Sequence, residues 1–132
     1  MTTANSSRIV LIDDEPGVLK ALTLLLQALG HSVMAFAGPQ EALAYLRAGI
    51  DADLILSDQR MPGMAGSDLF RTLRAHSIET PFVLMSGHAN EDDVRHVLVA
   101  PATSFLPKPF TPATLQEAIQ SALLSGIPAK AV

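Results

Sequence analysis

Five times along the chain a short run of consecutive apolar residues gives way to a stretch whose apolar residues recur every three or four positions. This alternation restricts the fold more than any other feature. Ile9-Val10-Leu11-Ile12 has the length of a strand buried on both faces, and Pro16 then opens a helical stretch with Val18, Leu19, Leu22, Leu25, Leu26 and Leu29 on its inner side, stopped by Gly30. The same pairing is predicted for strands over 31–36, 53–57, 81–85 and 103–106, followed by helices around 41–49, 69–73, 92–100 and 111–125. Strands separated by crossover helices form a parallel sheet covered on both faces, so the fold class is α/β, doubly wound, with five strands and five helices.

A chain of 132 residues amounts to one domain. With 48% hydrophobic and 17% charged residues it can fill a core and is expected to be folded and soluble. Residues 1–7 are expected to be a disordered N-terminal tail, 8–125 the domain, and 126–132 a C-terminal tail or linker stub. Nine basic against thirteen acidic residues give a net charge of −4, and lysine occurs only as Lys20, Lys108 and Lys130. That balance argues against direct nucleic-acid binding by this domain. The absence of cysteine excludes disulfides, thiolate metal sites and thiol nucleophiles. No apolar run reaches the roughly 18 residues of a membrane span, and the first seven residues lack the apolar stretch of a secretory signal. A cytoplasmic location without membrane association is therefore expected.

The unusual polar residues follow the strands. Asp13 and Asp14 come after the first, Asp58 after the third, Ser86 after the fourth, and Lys108 after the fifth. In open parallel sheets ligands bind beyond the carboxyl ends of the strands, and with the order 2-1-3-4-5 the first and third strands are neighbours at the switch point. Three carboxylates would then share one crevice, which calls for neutralisation. A hard divalent cation such as Mg²⁺ takes carboxylate, water and phosphate oxygens, and Lys108 adds a compact positive charge. An aspartate can attack a phosphoryl donor in such a setting, because the reaction chiefly demands alignment and cancellation of oxygen charge. Taken singly, each residue has an ordinary explanation. The aspartates could cap helices or form turns, Ser86 could close a turn before Gly87, and Lys108 could be a solvated loop residue. Independent caps do not account for four matched positions at the ends of four strands.

The segments Ile9-Val10-Leu11-Ile12-Asp13-Asp14-Glu15, Ser57-Asp58-Gln59-Arg60-Met61-Pro62-Gly63-Met64, Met85-Ser86-Gly87-His88 and Phe105-Leu106-Pro107-Lys108-Pro109-Phe110 together resemble the receiver (CheY-like) domain of bacterial two-component response regulators. The resemblance spans about residues 8–125 and implies a flavodoxin-like sheet in the order 2-1-3-4-5. It further implies that Asp58 is the phosphoacceptor, served by a sensor histidine kinase or phosphotransfer protein. Asp13, Asp14, Asp58 and the backbone carbonyl of Arg60 would hold Mg²⁺. Lys108, preceding a cis proline, and Ser86 would contact the phosphoryl group, and Ser86 with Phe105 would form the switch, although Phe105 could equally be plain core. The face made by the fourth helix, fifth strand and fifth helix would read out the state to an output domain or partner, and could carry a homodimer contact to which Leu98 and Val99 add apolar surface. Such a domain is no enzyme beyond assisting its own phosphorylation and dephosphorylation. Arg60 and His88, each two residues past Asp58 or Ser86, are expected to tune hydrolysis of the acyl phosphate; solvated loop positions are the plain alternative.

One stretch departs from the family. Where relatives have Gly-Ala-x-Asp, this chain has Pro101-Ala102-Thr103-Ser104, and Pro101 cannot adopt a positive φ. Three other functions compete. A phosphatase using an aspartyl phosphate would need an acid two residues after its nucleophile, where Arg60 stands. A nucleotide or flavin binder would show a glycine-rich loop after the first strand, which is missing. A receiver-like interaction module that is never phosphorylated would not need the full Asp13, Asp14, Asp58, Ser86 and Lys108 set.

Overall fold

The computed structural model describes residues 6–88 and 91–125. The elements run β1 (Arg8–Ile12), α1 (Pro16–Ala28), β2 (Ser32–Phe36), α2 (Pro39–Arg47), β3 (Leu54–Asp58), α3 (Gly66–Ala75), β4 (Phe82–Ser86), α4 (Asp92–Leu98), β5 (Thr103–Pro107) and α5 (Pro112–Ser125). The strands form one sheet in the order β2-β1-β3-β4-β5, every adjacent pair parallel. Among the described residues no helix is long and apolar enough to cross a membrane.

Successive strand residues point to opposite faces, and β1, β3 and β4 are covered on both, which is why these strands read as unbroken apolar runs. Ile9, Leu11, Leu54, Leu56, Val83, Met85 and Leu106 face α1 and α5 through Leu22, Leu26, Leu115 and Ile119. Val10, Ile12, Ile55, Phe82 and Leu84 face α2, α3 and α4 through Ala42, Leu46, Leu69, Leu73, Val94 and Val97. Each fully buried aliphatic side chain contributes about 1.5–3 kcal/mol by leaving water. Phe70 and Phe82 meet edge to face at 5.2 Å in the second of these layers.

Element ends differ from the sequence expectation in instructive places. Asp58 and Ser86 are the last residues of β3 and β4, paired in register with Met85 and Pro107 respectively, so the sheet ladder itself holds them. The fourth helix stops at Leu98 rather than Ala100, because Pro101 disfavours helical backbone at the residue before it. The positive φ that Pro101 cannot supply is taken by Ala102, at 62°. In the same stretch the Ser104 hydroxyl donates to the Ala118 carbonyl of α5 at 2.6 Å, a neutral tie between β5 and the helix that follows it. Thr111 caps α5 instead of starting it: its Oγ1 accepts the Thr114 N–H and the Thr114 Oγ1 accepts the Thr111 N–H, with Pro112 at the first helical position.

Of the tail expected over residues 1–7, the last two residues join the fold. Ser7 donates its N–H to Nδ1 of the buried His31, its carbonyl accepts the Ser32 N–H, and the Ser6 hydroxyl donates to Gly30. Residues 1–5 and the expected C-terminal tail 126–132 lie outside the described residues.

Candidate functional site

The carboxyl ends of β1, β3, β4 and β5 meet on one side of the sheet. Asp13 directly follows β1, and its carboxylate is wholly buried, with Oδ1 accepting the Glu15 N–H at 3.0 Å and Oδ2 without any hydrogen-bond partner. One carboxylate oxygen from each of Asp13, Asp14 and Asp58 lies within 4.8 Å of the others. Lys108 reaches in from beyond β5: its Nζ donates to Asp58 Oδ1 at 2.8 Å and stands 4.0 Å from Asp13 Oδ2. The Lys108 N–H also donates to the Ser86 carbonyl at 3.0 Å, fastening the ends of β4 and β5 together, and the Lys108-Pro109 peptide is cis.

Electrostatically the cluster is short of positive charge. Burial, reinforced by the neighbouring Asp58 and Asp14, raises the Asp13 carboxyl above its ordinary value, against the Glu15 N–H and Lys108, which pull it down. A single ammonium cannot satisfy three carboxylates, and the unpartnered Asp13 Oδ2 is the atom left over. Oxygen donors of this kind, clustered and already half desolvated, suit a hard divalent cation. They fit Mg²⁺ by donor type and by that orphaned oxygen.

Beside the cluster opens a cleft of about 380 Å³ lined by Asp14, Glu15, Asp58, Arg60, Ser86, Gly87, His88 and Lys108. The nearly buried Ser86 hydroxyl accepts the His88 N–H at 3.0 Å, so its own proton remains available to a group in the cleft. His88 is exposed at the rim. The Arg60 guanidinium, in contrast, pairs with Glu91 at 2.8 Å, on the residue that precedes α4. Phe105 is half buried against the α2, α3 and α4 layer, in register with Leu84 of β4. At the end of α4, Leu98 packs against the same layer while Val99 is 83% exposed. Asp13, Asp14, Asp58, Ser86 and Lys108 are thus brought together, with Arg60 and His88 at the rim and Phe105 one layer below.

Three residues at this end escaped the sequence reading. Gln59 and Ser67 are almost fully buried and exchange two hydrogen bonds, and Gly66 lies so close to β3 that a Cβ there would come 2.4 Å from the Asp58 carbonyl oxygen. Gln59 and Gly66 stand within the quoted motif region and just beyond it. Neither periodicity nor residue type marks such a pairing.

Known proteins resemble this chain in sequence and in fold. The sequence matches the description "Response regulator receiver domain" over residues 9–120. It is 33% identical over 131 residues to the transcriptional regulatory protein FixJ of Bradyrhizobium diazoefficiens, an alignment that covers 98% of this chain and 62% of that protein. It is 38% identical over 102 residues to the C4-dicarboxylate transport transcriptional regulatory protein DctD of Rhizobium meliloti, covering 77% of this chain and 22% of the relative. The chain thus spans less than two thirds of the length of these curated relatives. Among solved structures, the chemotaxis protein CheY4 of Vibrio cholerae superposes with a TM-score of 0.80 at 28% identity, covering 89% of this chain and 99% of that one. The structure described as FixJ-N gives 0.79 at 26% identity over 92% and 96% of the two chains.

Proposed function

This chain belongs to the response regulator receiver family, and on that premise we propose that it is a phosphorylation-controlled switch whose acceptor is Asp58. The phosphoryl group would come from a sensor histidine kinase or phosphotransfer protein. An Asp58 carboxylate oxygen forms the new bond to phosphorus while the bond from phosphorus to the donor's imidazole nitrogen breaks, its electron pair leaving with that nitrogen. Asp13, Asp14, Asp58 and the Arg60 carbonyl would hold Mg²⁺, which when bound supplies positive charge against the phosphoryl oxygens. Lys108 and Ser86 do the remaining work from the chain: the ammonium follows the charge from the carboxylate to a phosphoryl oxygen, and the Ser86 hydroxyl donates its proton to another. The single observation that carries this reading is a buried Asp13 oxygen with no partner, set within a carboxylate triad whose one nearby ammonium is already committed to Asp58.

Contacts made by Ser86 and Lys108 only when the phosphoryl group is present would favour one arrangement of the loops around Ser86 and Phe105 over another. The readout surface is the face of α4, β5 and α5, where a second copy, an output domain or a separate partner would dock. Arg60 and His88 at the rim would set how freely water reaches the acyl phosphate. The unit responsible is residues 8–125, acting in the cytoplasm, and it would catalyse nothing beyond its own phosphorylation and its reversal. A receiver-like module that signals without phosphorylation is the other reading.

Incubation with a small phosphodonor and Mg²⁺, followed by intact mass measurement, separates the two. One added phosphoryl group on the wild type and none on Asp58→Ala is the expected result. An unmodified wild type, or a modification that persists in Asp58→Ala, would overturn the assignment.

A further inference from the structure

The loop between β3 and α3 leaves the sheet at Gln59 and returns at Gly66, and its neck is closed by an unusual concentration of bonds. The Gln59 N–H donates to the Met85 carbonyl of β4 at 2.9 Å, and its carbonyl accepts the Gly66 N–H at 3.0 Å. Its side-chain Oε1 accepts the Ser67 N–H at 2.8 Å, and its Nε2 donates to the Ser67 Oγ at 3.0 Å. Gln59 and Ser67 are 5% and 1% exposed, so no water competes for these bonds. The Ser67 N–H belongs to the first turn of α3, whose capping position holds Ala65, a residue without a side-chain acceptor. The cap that Ala65 cannot provide arrives from Gln59 across the neck.

Gly66 adds a second, steric constraint. A Cβ at this position would stand 2.4 Å from the Asp58 carbonyl oxygen and 2.8 Å from Leu84 Cδ1, and the first of these is a backbone atom that cannot swing away. The start of α3 therefore bears directly on the backbone of the acceptor residue. Gln59 lies between Asp58 and Arg60, the residues that carry the acceptor carboxylate and the carbonyl assigned to the metal. Because all four of its polar groups are tied down, neither neighbour can shift without breaking a buried bond.

Resting on the function proposed above, we infer that Gln59, clamped by Ser67, is a positioning residue that fixes the Asp58 carboxylate and the Arg60 carbonyl relative to each other for the divalent cation. The residue type follows from the surroundings. A carboxylate of the same reach would bury a further negative charge and offer no donor to the Ser67 hydroxyl oxygen, whereas an amide offers the acceptor and the donor without charge. An apolar residue of that size would leave the Ser67 N–H and hydroxyl buried without partners.

The test measures Mg²⁺ binding to the full chain by calorimetry, with the melting temperature in the absence of the ion recorded in parallel. Wild type, Gln59→Leu, Ser67→Ala and the double variant are compared. If the clamp positions the ligands, Gln59→Leu weakens Mg²⁺ binding about tenfold, the scale seen when groups supporting a metal ligand are removed. Ser67→Ala weakens it less, and the double variant is no worse than Gln59→Leu, since both changes break the same pair. Wild-type affinity in the single variants, with melting temperatures alone reduced, would overturn the inference and leave a merely structural clamp. Should Gln59→Leu fail to fold, Ser67→Ala, which removes one hydroxyl, decides by the same criterion. A wild type that binds no Mg²⁺ would sink the parent function itself, an outcome distinct from unaltered binding in the variants.

Discussion

Among the described residues two buried side-chain atoms lack a hydrogen-bond partner, and they belong to opposite ends of the sheet: Asp13 Oδ2 where the strands finish, and Arg74 Nη2 where β4 begins. Burial disfavours the charge in both cases, lowering the Arg74 pKa against the pull of Glu79 and raising that of Asp13. What surrounds the charges differs. The Arg74 Nη1 donates to the Ile78 and Thr80 carbonyls, both at 3.0 Å, and the guanidinium lies 4.4 Å above the Phe70 ring. Its spare nitrogen is one of several donors on a group otherwise well placed, and the ring face offsets part of the lost hydration. Asp13 has one hydrogen bond, two carboxylates for neighbours, and an ammonium 4.0 Å away that is already bonded to Asp58. One orphan belongs to a staple that completes the fold. The other belongs to a site that the fold leaves incomplete.

If that contrast is right, removing the two charges should shift stability in opposite directions. Arg74→Met keeps the packing stem but strips two buried carbonyls of their donors and the ring of its cation, and should cost about 2–4 kcal/mol. Chemical denaturation measures this, and a loss below about 0.5 kcal/mol would place Arg74 among ordinary surface residues. Asp13→Asn preserves the acceptor for the Glu15 N–H and removes the unbalanced charge. Without metal it should gain about 1–2 kcal/mol, while Mg²⁺, which should stabilise the wild type by preferential binding, no longer does so.

Acid offers a gentler version of the same change. The raised pKa means that folded Asp13 holds its proton more tightly than the unfolded chain does. Its favourable contribution is therefore complete below the unfolded value and is lost as pH rises through the folded one. In metal-free protein the advantage of Asp13→Asn over wild type should accordingly shrink as pH falls from neutral toward 4. Denaturation of both proteins at matched pH isolates this residue from general acid unfolding, and an advantage that grows on acidification would contradict the burial of an unbalanced carboxylate.

How legible these features were depended on whether they repeat along the chain. The strands announced themselves because covering a parallel sheet on both faces demands consecutive apolar residues, as in Ile9 to Ile12. The five site residues could be named because each follows such a run. What periodicity cannot carry is a pairing between distant side chains. Arg60 with Glu91 and Gln59 with Ser67 join residues 31 and 8 positions apart, and nothing in either partner's local pattern announces the other. Backbone conformation was hidden for a related reason. No glycine immediately precedes β5, and the left-handed residue there is Ala102, a type with no preference for that region.

The smallest effect sharpens the comparison at the Arg74 end. Helices α1 and α3 finish with the same pair of bonds: Gly30 to Gln27 and His31 to Leu26 in one, Ser77 to Arg74 and Ile78 to Leu73 in the other. The left-handed position is Gly30 at φ 98° in α1 but Ser77 at φ 63° in α3. A Cβ in that region costs about 1–2 kcal/mol, and Ser77 is exposed, so its side chain has little packing to lose. Ser77→Gly relieves the strain but also frees the unfolded chain, which leaves a net gain of about 0.5–1 kcal/mol by denaturation. Arg74 holds the Ile78 carbonyl just past this residue, so the staple helps keep Ser77 in its strained conformation. In the Arg74→Met background, where Ser77 is freer to relax, the same Ser77→Gly change should therefore gain less stability than it does in the wild type. Equal gains in both backgrounds would mean that the helix end keeps its shape unaided, and that the guanidinium serves only the two carbonyls it touches.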